Sequence, residues 1–267
     1  MNGSEEYVVE RWSHTLPHQG KVFAAIFPHS DDLTIFAAGT VLKLLHEGYT
    51  GYFIKITNDE KDSYDLSIAE TIFRIEKETL EVVNFLGLEK LYCFDYKNHY
   101  LEHTQLVEIR HRLMTLFRFL RVDTVISYDP WGHYEENPDH YLTAQAVEAA
   151  CWMAGRRLDL PELIDMNLQP KFVTEKYYVA RGPQLTNRIV DITPVIDKKR
   201  DAIALHRTPL DNMWRTELDL HPSQPLSMKE FVEAEFLQRA DSKYGIEYCE
   251  KFHYIGDVDA QLTEVRN

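Results

Sequence analysis

Residues 21–48 read KVFAAIFPHSDDLTIFAAGTVLKLLHEG, and they follow the pattern of a strand, a turn and a helix. The run from Lys21 to Pro28 is short and apolar, with the length of a buried strand. From Asp32 to His46 the apolar residues recur at helical spacing, and Gly48 follows as a stop signal. The segment therefore predicts a βα unit whose turn is polar.

The same alternation continues along the chain. Short apolar runs predict strands, and longer runs with helical spacing predict helices. The predicted strands are 51–57, 91–96 and 123–128, and the predicted helices are 67–86, 103–121 and 138–154. Apolar strands alternating with helices are typical of a parallel sheet that is covered on both faces. We therefore predict an α/β fold with a doubly wound, mostly parallel, Rossmann-like sheet.

The pattern is less regular beyond residue 155. Segments 176–181 and 188–192 are predicted to be strands that close on a Gly-Pro turn, and 194–206 is predicted to be a helix. Residues 207–226 are predicted to be an ordered loop, followed by a helix over 227–240 and a short last strand. We expect antiparallel C-terminal additions to a single domain, 1–267, with its core at about 21–206 and a C-terminal loop and helix over 207–267.

Composition limits the class of protein. With 267 residues, of which 44% are apolar, the chain can bury a full core. The 29 Lys and Arg against 43 Asp and Glu give a net charge of −14, which repels phosphate backbones and anionic lipid. We therefore expect neither nucleic acid nor a membrane surface as a partner.

The remaining composition signals concern the compartment. The three cysteines are widely spaced and form no CxxC pair, so neither a disulfide framework nor a thiolate zinc site is predicted. The first residues lack the basic and apolar regions of a signal peptide, and no run approaches the length of a membrane span. We expect a soluble cytoplasmic protein without a membrane span, and we leave a homo-oligomer open.

Two loops carry the candidate chemistry. In open α/β sheets, ligands bind beyond the carboxyl ends of the strands at the switch point, here between the first and fourth predicted strands. The loop after the first strand contains His29, Asp31 and Asp32, and the loop after the fourth leads to His140. No GxGxxG motif is present, which disfavours a nicotinamide enzyme.

Residue type and spacing favour a metal site at this crevice. His29 and Asp32 are three residues apart at a helix start, and His140 lies in the first turn of a later helix. Two histidines and one carboxylate, with a fourth position left for water, form a catalytic zinc arrangement. Asp31, a carboxylate that is not assigned as a ligand, is the candidate general base.

Each residue also has a purely structural explanation. Asp32 alone could be a helix N-cap, and a single histidine after a strand is commonly a hydrogen-bonded structural residue. Asn137-Pro138-Asp139 reads equally well as N-cap, first-turn proline and a carboxylate favoured by the helix dipole. The functional reading depends on the two loops meeting at one crevice.

The two loops resemble motifs of the PIG-L/LmbE family of zinc-dependent N-acetylglucosaminyl de-N-acetylases. Family members carry His-Pro-Asp-Asp-Glu after the first strand and His-x-Asp-His after a later one. The corresponding residues here are 29–33, HSDDL, and 137–140, NPDH. Weaker similarity, at 57–60, Arg74, Glu78, 191–193 and His206, extends the resemblance over about residues 21–206.

The resemblance implies an enzyme. It assigns His29, Asp32 and His140 to Zn²⁺, although another divalent metal could be loaded, and it assigns Asp31 as the general base. Attack of zinc-bound water on the amide carbonyl would remove the N-acetyl group from an N-acetylglucosamine-type small-molecule conjugate. The implied partner is therefore an amino-sugar substrate.

Three positions depart from the family motifs. Ser30 replaces a proline and Leu33 replaces an acidic residue, and neither change removes a ligand. Asn137 stands where the family has a histidine that polarises the carbonyl or protonates the leaving amine. Because an amide cannot carry a proton at neutral pH, either His133 supplies it, Asp31 returns the proton it took, or the rate is low.

Other candidates have weaker signals. By resemblance, Arg74 is a substrate-binding candidate, as is Asn137, while Arg74 is explained equally well as a solvated helix residue paired with Glu78. The histidines 46, 99, 103 and 111 fall on helices or away from strand ends, and we assign them no chemistry.

Two other functions remain open. A non-catalytic carbohydrate-binding or regulatory member of the same fold would bind sugar without releasing acetate. A receiver-like signalling domain would hold Mg²⁺ with an acidic pair after the first strand, but it is much shorter than this chain and needs no histidine ligands.

Overall fold

The computed structural model describes residues 7–256. The strands are β1 (Val8–Glu10), β2 (Val22–Phe27), β3 (Thr50–Thr57), β4 (Lys90–Tyr96), β5 (Thr124–Tyr128), β6 (Glu175–Val179), β7 (Arg188–Asp191) and β8 (Cys249–Ile255). The helices are α1 (Asp32–His46), α2 (Ile68–Leu86), α3 (Leu106–Leu120), α4 (Pro138–Met153), α5 (Glu162–Asp165), α6 (Ile196–Leu205), α7 (Arg207–Leu220) and α8 (Met228–Phe236).

The eight strands form one mixed sheet in the order β1-β7-β8-β6-β5-β2-β3-β4. Pairing is parallel throughout except for β8, which runs antiparallel to both β6 and β7. The predicted class, a mostly parallel Rossmann-like sheet with antiparallel C-terminal additions, is confirmed. The predicted switch point is present as well, because β2 pairs with β3 on one side and with β5 on the other.

Alternate residues of β2 point to the two faces of the sheet, as the strand period requires. Phe23, Ala25 and Phe27 belong to the apolar core on the side of α1, α2 and α6. Ala24 and Ile26 belong to the core on the side of α3 and α4. Helices therefore cover both faces, which explains why the central strands read as continuous apolar runs.

Local signals set the helix ends. In α2, the Ser67 hydroxyl and the Glu70 carboxylate complete a capping box, and Gly87 ends the helix with a φ of +83°. In α4, the Asn137 side chain accepts a hydrogen bond from the Asp139 N–H, and Pro138 occupies the first turn. None of the helices within residues 7–256 combines the length and apolarity that a membrane crossing requires.

Two expectations for the C-terminal part are wrong. β6 and β7 do not form a hairpin, because β8 lies between them. Residues 207–220 form α7 instead of a loop. Pro209 is tolerated in its first turn, and Leu210, Met213 and Trp214 pack at helical spacing against the core. Before β2, where no element was predicted, β1 pairs in parallel with β7.

Candidate active site

The pairing of β2 with β5 brings the two predicted loops together at one edge of the sheet. His29 lies in the loop after β2, Asp32 is the first residue of α1, and His140 lies in the first turn of α4. All three side chains are buried. Because parallel strands end at the same edge, residues separated by more than 100 positions along the chain meet there.

The donor atoms of these three side chains converge. His29 Nδ1 lies 3.2 Å from His140 Nε2 and 3.3 Å from Asp32 Oδ2, and His140 Nε2 lies 3.7 Å from Asp32 Oδ1. Ligands at 2.0–2.1 Å from one tetrahedral zinc ion are about 3.4 Å apart. The donor set and its spacing therefore fit a metal with an N₂O ligand triad.

Each candidate ligand histidine turns its outer nitrogen to a carboxylate. His29 Nε2 lies 3.4 Å from Asp139 Oδ2, and His140 Nδ1 lies 3.2 Å from Glu135 Oε2. Such partners fix the orientation of the ring and raise the basicity of the nitrogen that faces the metal. Glu135 also pairs with Arg181, and Asp139 accepts the backbone N–H groups of residues 99 and 101.

Charge pairing shifts the pKa values of His29 and Asp32 in opposite directions. Burial opposes the charged form of His29, but Asp32 and Asp139 outweigh it and hold the pKa of His29 well above its usual range. Burial likewise opposes the charge of Asp32, but His140, His29 and the Tyr128 hydroxyl lower its pKa to about 2. The ionised carboxylate, which is the form that ligates a metal, is thus strongly favoured.

Asp31 precedes the triad residue Asp32 and occupies the N-cap position of α1, without a capping hydrogen bond from its side chain. It lines the cleft above the triad. Burial and the neighbouring carboxylates of Asp32 and Asp62 raise the pKa of Asp31 well above its usual range. A carboxylate that lies beside the candidate ligands, but outside their donor set, is suitably placed to exchange a proton with water.

The triad lies at the base of a cleft of about 940 Å³. Its walls are built by the loops after β2, β3, β4 and β5, the segment after β6, the helices α6 and α7, the end of α8 and the start of β8. The lining includes Asp62, His99, Asn137, Arg181, Gln184, Lys199, Asn212, Met213, Glu235, Phe236, Gln238 and Lys251. Apolar and hydrogen-bonding side chains alternate around it, as is typical of a site for a polar small molecule.

The structure does not bring every predicted residue into this cleft. His133 is exposed in the β5–α4 loop and Arg74 is exposed on the solvent side of α2, and neither lines the cleft. Asn137 does line it, while its side chain oxygen caps α4. His206 is buried at the junction of α6 and α7 and does not line the cleft.

Sequence reasoning missed several residues that the structure places around the triad. The sequence explains Asp139 only as a first-turn carboxylate of α4. Its position immediately before His140, within the motif at 137–140, is the signal that could have predicted a contact with a ligand histidine. Glu135, Asp62 and His99 carry no comparable signal, because their approach depends on loop conformation. His99, to which the sequence assigns no chemistry, lines the cleft three residues beyond the end of β4.

The part of the chain that contains the triad is similar to a known protein family. Residues 24–151 match the family model described as PIG-L, GlcNAc-PI de-N-acetylase. The chain contains a PIG-L family domain. All four residues of the triad and the candidate base, at 29, 31, 32 and 140, fall within this PIG-L domain.

Relatives of the PIG-L domain include enzymes with stated substrates. Over 201 residues, the chain is 28% identical to diacetylchitobiose deacetylase of Thermococcus kodakarensis, covering 73% of this chain and 72% of that one. It is 27% identical over 195 residues to the probable N-acetyl-alpha-D-glucosaminyl L-malate deacetylase 2 of Bacillus anthracis, covering 68% and 78%.

A solved structure extends the similarity to three dimensions. N,N'-diacetylchitobiose deacetylase from Pyrococcus horikoshii, solved with its inhibitor MPG, aligns with a TM-score of 0.73 and 26% identity. The alignment covers 88% of this chain and 84% of that one. The structural similarity therefore extends well beyond the residues of the PIG-L match.

Proposed function

We propose that this protein is a metal-dependent deacetylase that removes the N-acetyl group of an N-acetylglucosamine-type small molecule. The observation that carries the proposal is the convergence of His29, Asp32 and His140, with donor atoms 3.2–3.7 Å apart, inside a PIG-L domain. The enzymatic activities of the relatives support the class of reaction.

We assign the ligand role to His29, Asp32 and His140, with Zn²⁺ as the proposed ion. A divalent metal in this position supplies Lewis acidity, which lowers the pKa of water and polarises the acetyl carbonyl. Asp139 and Glu135 orient the two imidazoles through their outer nitrogens. An N/O donor set discriminates weakly between divalent metals, so the loaded ion depends on supply as well as on geometry.

Asp31 is the proposed general base. Its carboxylate accepts a proton from the attacking water as the new C–O bond forms at the acetyl carbon. The amide C–N bond then breaks, and the same carboxyl returns the proton to the leaving nitrogen, which gives acetate and a free amine. His133 is exposed and does not line the cleft, so we assign the return of the proton to Asp31, which compensates for Asn137.

The shape and charge of the cleft bear on the substrate. Its volume of about 940 Å³ is near the upper end of the usual range for small-molecule sites, which favours a conjugate over a single sugar. Three cations line the cleft. Arg181 pairs with Glu135 and Lys199 pairs with Glu250, and the third, Lys251, is outnumbered by the lining carboxylates of Asp31, Asp62 and Glu235. We therefore propose a neutral aglycone, such as a second sugar, rather than an anionic one.

The test combines metal analysis with acetate release. Purified protein is assayed with diacetylchitobiose, with an N-acetylglucosaminyl malate and with other N-acetylglucosaminides. We expect one bound divalent ion per chain and acetate release, fastest from the neutral saccharides. Asp31→Asn should abolish turnover with the metal retained, whereas Asp32→Ala should lose the metal.

The alternative is a non-catalytic carbohydrate-binding member, and the same assay separates the two. Saccharide binding without acetate release, in protein that carries its full complement of metal, would contradict the enzyme and support the binding protein. Loss of metal from Asp31→Asn and its retention by Asp32→Ala would reverse the assigned roles.

A further inference from the structure

His99 is a cleft residue that the proposed mechanism does not use. It follows β4 and faces the triad from the side of β3 and β4, together with Asp62. Its ring stands edge-on to the ring of His29, with centroids 6.1 Å apart. Ligand atoms of His99, His29 and Asp139 lie within 4.8 Å of one another. Since Asp139 lies at His29 Nε2, and the candidate ligand atom of His29 is Nδ1, His99 is near the outer side of that imidazole.

The backbone of His99 is held in a conformation that a residue with a side chain rarely adopts. Its φ is +58°, in the left-handed region where glycine is favoured. The conformation is fixed by its N–H, which donates to Asp139 Oδ2 at 2.6 Å. Since such a conformation costs energy and clusters at functional sites, a histidine here calls for an explanation beyond packing.

The ring itself is available for a ligand. His99 is exposed into the cleft, and its ring nitrogens have no hydrogen-bond partner within residues 7–256. Neutral or protonated, an imidazole offers at least one N–H donor. Asp62, on the same wall, is anchored by the Asn98 side chain amide, which donates to Asp62 Oδ2 at 2.9 Å.

The other histidines of the described chain are committed elsewhere or lie outside the cleft. His29 and His140 face each other within the triad, and His253 lies 3.0 Å from Asp129. Apart from the triad, His99 is the one imidazole that lines the cleft between residues 7 and 256.

We infer that His99 is a substrate-binding residue, whose imidazole hydrogen-bonds a hydroxyl group of the amino-sugar ring. The inference rests on the proposed function and specifies which wall of the cleft binds the sugar. That wall is formed by the loops after β3 and β4, and the exposed Arg74 is not part of it. The strained backbone directs the ring into the cleft, and Asp139 couples its position to that of His29.

The test uses His99→Asn and His99→Gly, because asparagine tolerates the left-handed backbone and glycine relieves it, so both variants should fold. With diacetylchitobiose we expect the KM of each to rise at least tenfold, with metal content unchanged and kcat changed less than KM. His103→Asn is the matched control, since His103 is exposed nearby and does not line the cleft. A kcat/KM within twofold of wild type in both His99 variants would overturn the inference.

A binding measurement separates this inference from the proposed function. Calorimetric titration of diacetylchitobiose compares Asp31→Asn with Asp31→Asn/His99→Asn, neither of which should turn over. We expect at least tenfold weaker binding in the double variant. Equal affinities, or no saccharide binding by the wild-type and single-variant proteins, would refute the role of His99. A wild type that binds but releases no acetate would refute only the deacetylase.

Discussion

The ring of Tyr128 stacks on the ring of His140, with centroids 4.1 Å apart and an angle of 13° between the planes. The hydroxyl of the same tyrosine donates a hydrogen bond to Asp32 Oδ1 at 2.6 Å. Tyr128 is the last residue of β5 and is buried. A single side chain at the end of a strand therefore contacts two of the three candidate ligands and fixes their relative positions.

Loss of the Tyr128 hydroxyl should weaken metal binding. In Tyr128→Phe the stack on His140 remains, but Asp32 loses a hydrogen bond that favours its ionised, oriented form. Since partners of ligands typically contribute 10–100-fold to metal affinity, we expect about a tenfold loss in chelator competition. Tyr141→Phe on α4 is the control, because its hydroxyl lies 3.5 Å from an exposed carboxylate, Glu102. Equal affinities in the two variants would show that the hydroxyl does not position Asp32.

Glu135 and Glu136 offer a matched pair on one loop. Glu135 contacts His140 Nδ1 and Arg181, while Glu136 is exposed. Glu135→Gln should lower the metal affinity about tenfold, because the imidazole loses its anionic partner, and Glu136→Gln should leave it unchanged. Metal content after dialysis against graded chelator measures the difference. A loss of the same size in both variants would point to net charge rather than to the contact.

The buried pair of Lys199 and Glu250 should support the fold. Glu250 accepts hydrogen bonds from the backbone N–H groups of Gly39 and Thr40, and its partner Lys199 Nζ lies at 2.7 Å. Glu250→Gln leaves the ammonium of Lys199 buried without a counter-charge. We expect the free energy of unfolding in urea to fall by about 3 kcal/mol.

The exposed Glu247 provides the control for Glu250. It pairs with Arg239 at the surface, where such pairs contribute little, so Glu247→Gln should lower the free energy of unfolding by less than about 1 kcal/mol. A Glu250→Gln protein as stable as wild type would mean that the pair holds α1, α6 and β8 together less firmly than its burial indicates.

His206 should make stability depend on pH. Burial lowers its pKa to about 3, whereas a histidine in the unfolded chain has a pKa of about 6.5. Between these values the unfolded state binds a proton at His206 that the folded state does not. The free energy of unfolding is therefore unaffected by this residue above about pH 6.5 and decreases as the pH falls below it. The slope is about 1.4 kcal/mol per pH unit for one proton.

Substitution isolates this contribution. Neither ring nitrogen of His206 has a hydrogen-bond partner in the part of the chain that the structure describes, so His206→Phe removes the titration without breaking a bond there. Urea unfolding between pH 7 and pH 4.5 should show a smaller loss of stability for His206→Phe than for wild type. His103→Phe, at an exposed position, should retain the wild-type slope. Identical slopes for all three proteins would assign the acid sensitivity to other groups.

The elements that the sequence predicts well are those with strong local signals. The predicted helix at 32–46 and the strands around residues 22–27 and 124–128 agree with α1, β2 and β5, because apolar periodicity and caps act within the segment itself. The convergence of His29, Asp32 and His140 followed from topology, since only the neighbouring strands β2 and β5 had to be paired correctly. These inferences need no knowledge of loop conformation.

The features that the sequence does not predict depend on contacts between distant parts of the chain. β6 and β7 look like a hairpin locally, yet β8 enters between them from almost 60 residues further along. His99 looks unremarkable until the carboxylate of Asp139, on another helix, fixes its backbone. In the same way, the polar residues and the proline of α7 indicate a loop. The segment is helical because its apolar side chains pack against the core.

The central position of β8 has a consequence for biosynthesis. β1, the first strand of the described residues, pairs with β7, and in the described sheet β7 is connected to the other strands only through β8. A nascent chain that has not yet emerged as far as residue 249 can assemble β2 to β6 with the helices around the triad, but β1 and β7 have no edge to join. The first and last strands of the described fold are therefore incorporated together, after synthesis of the part that contains the triad is complete.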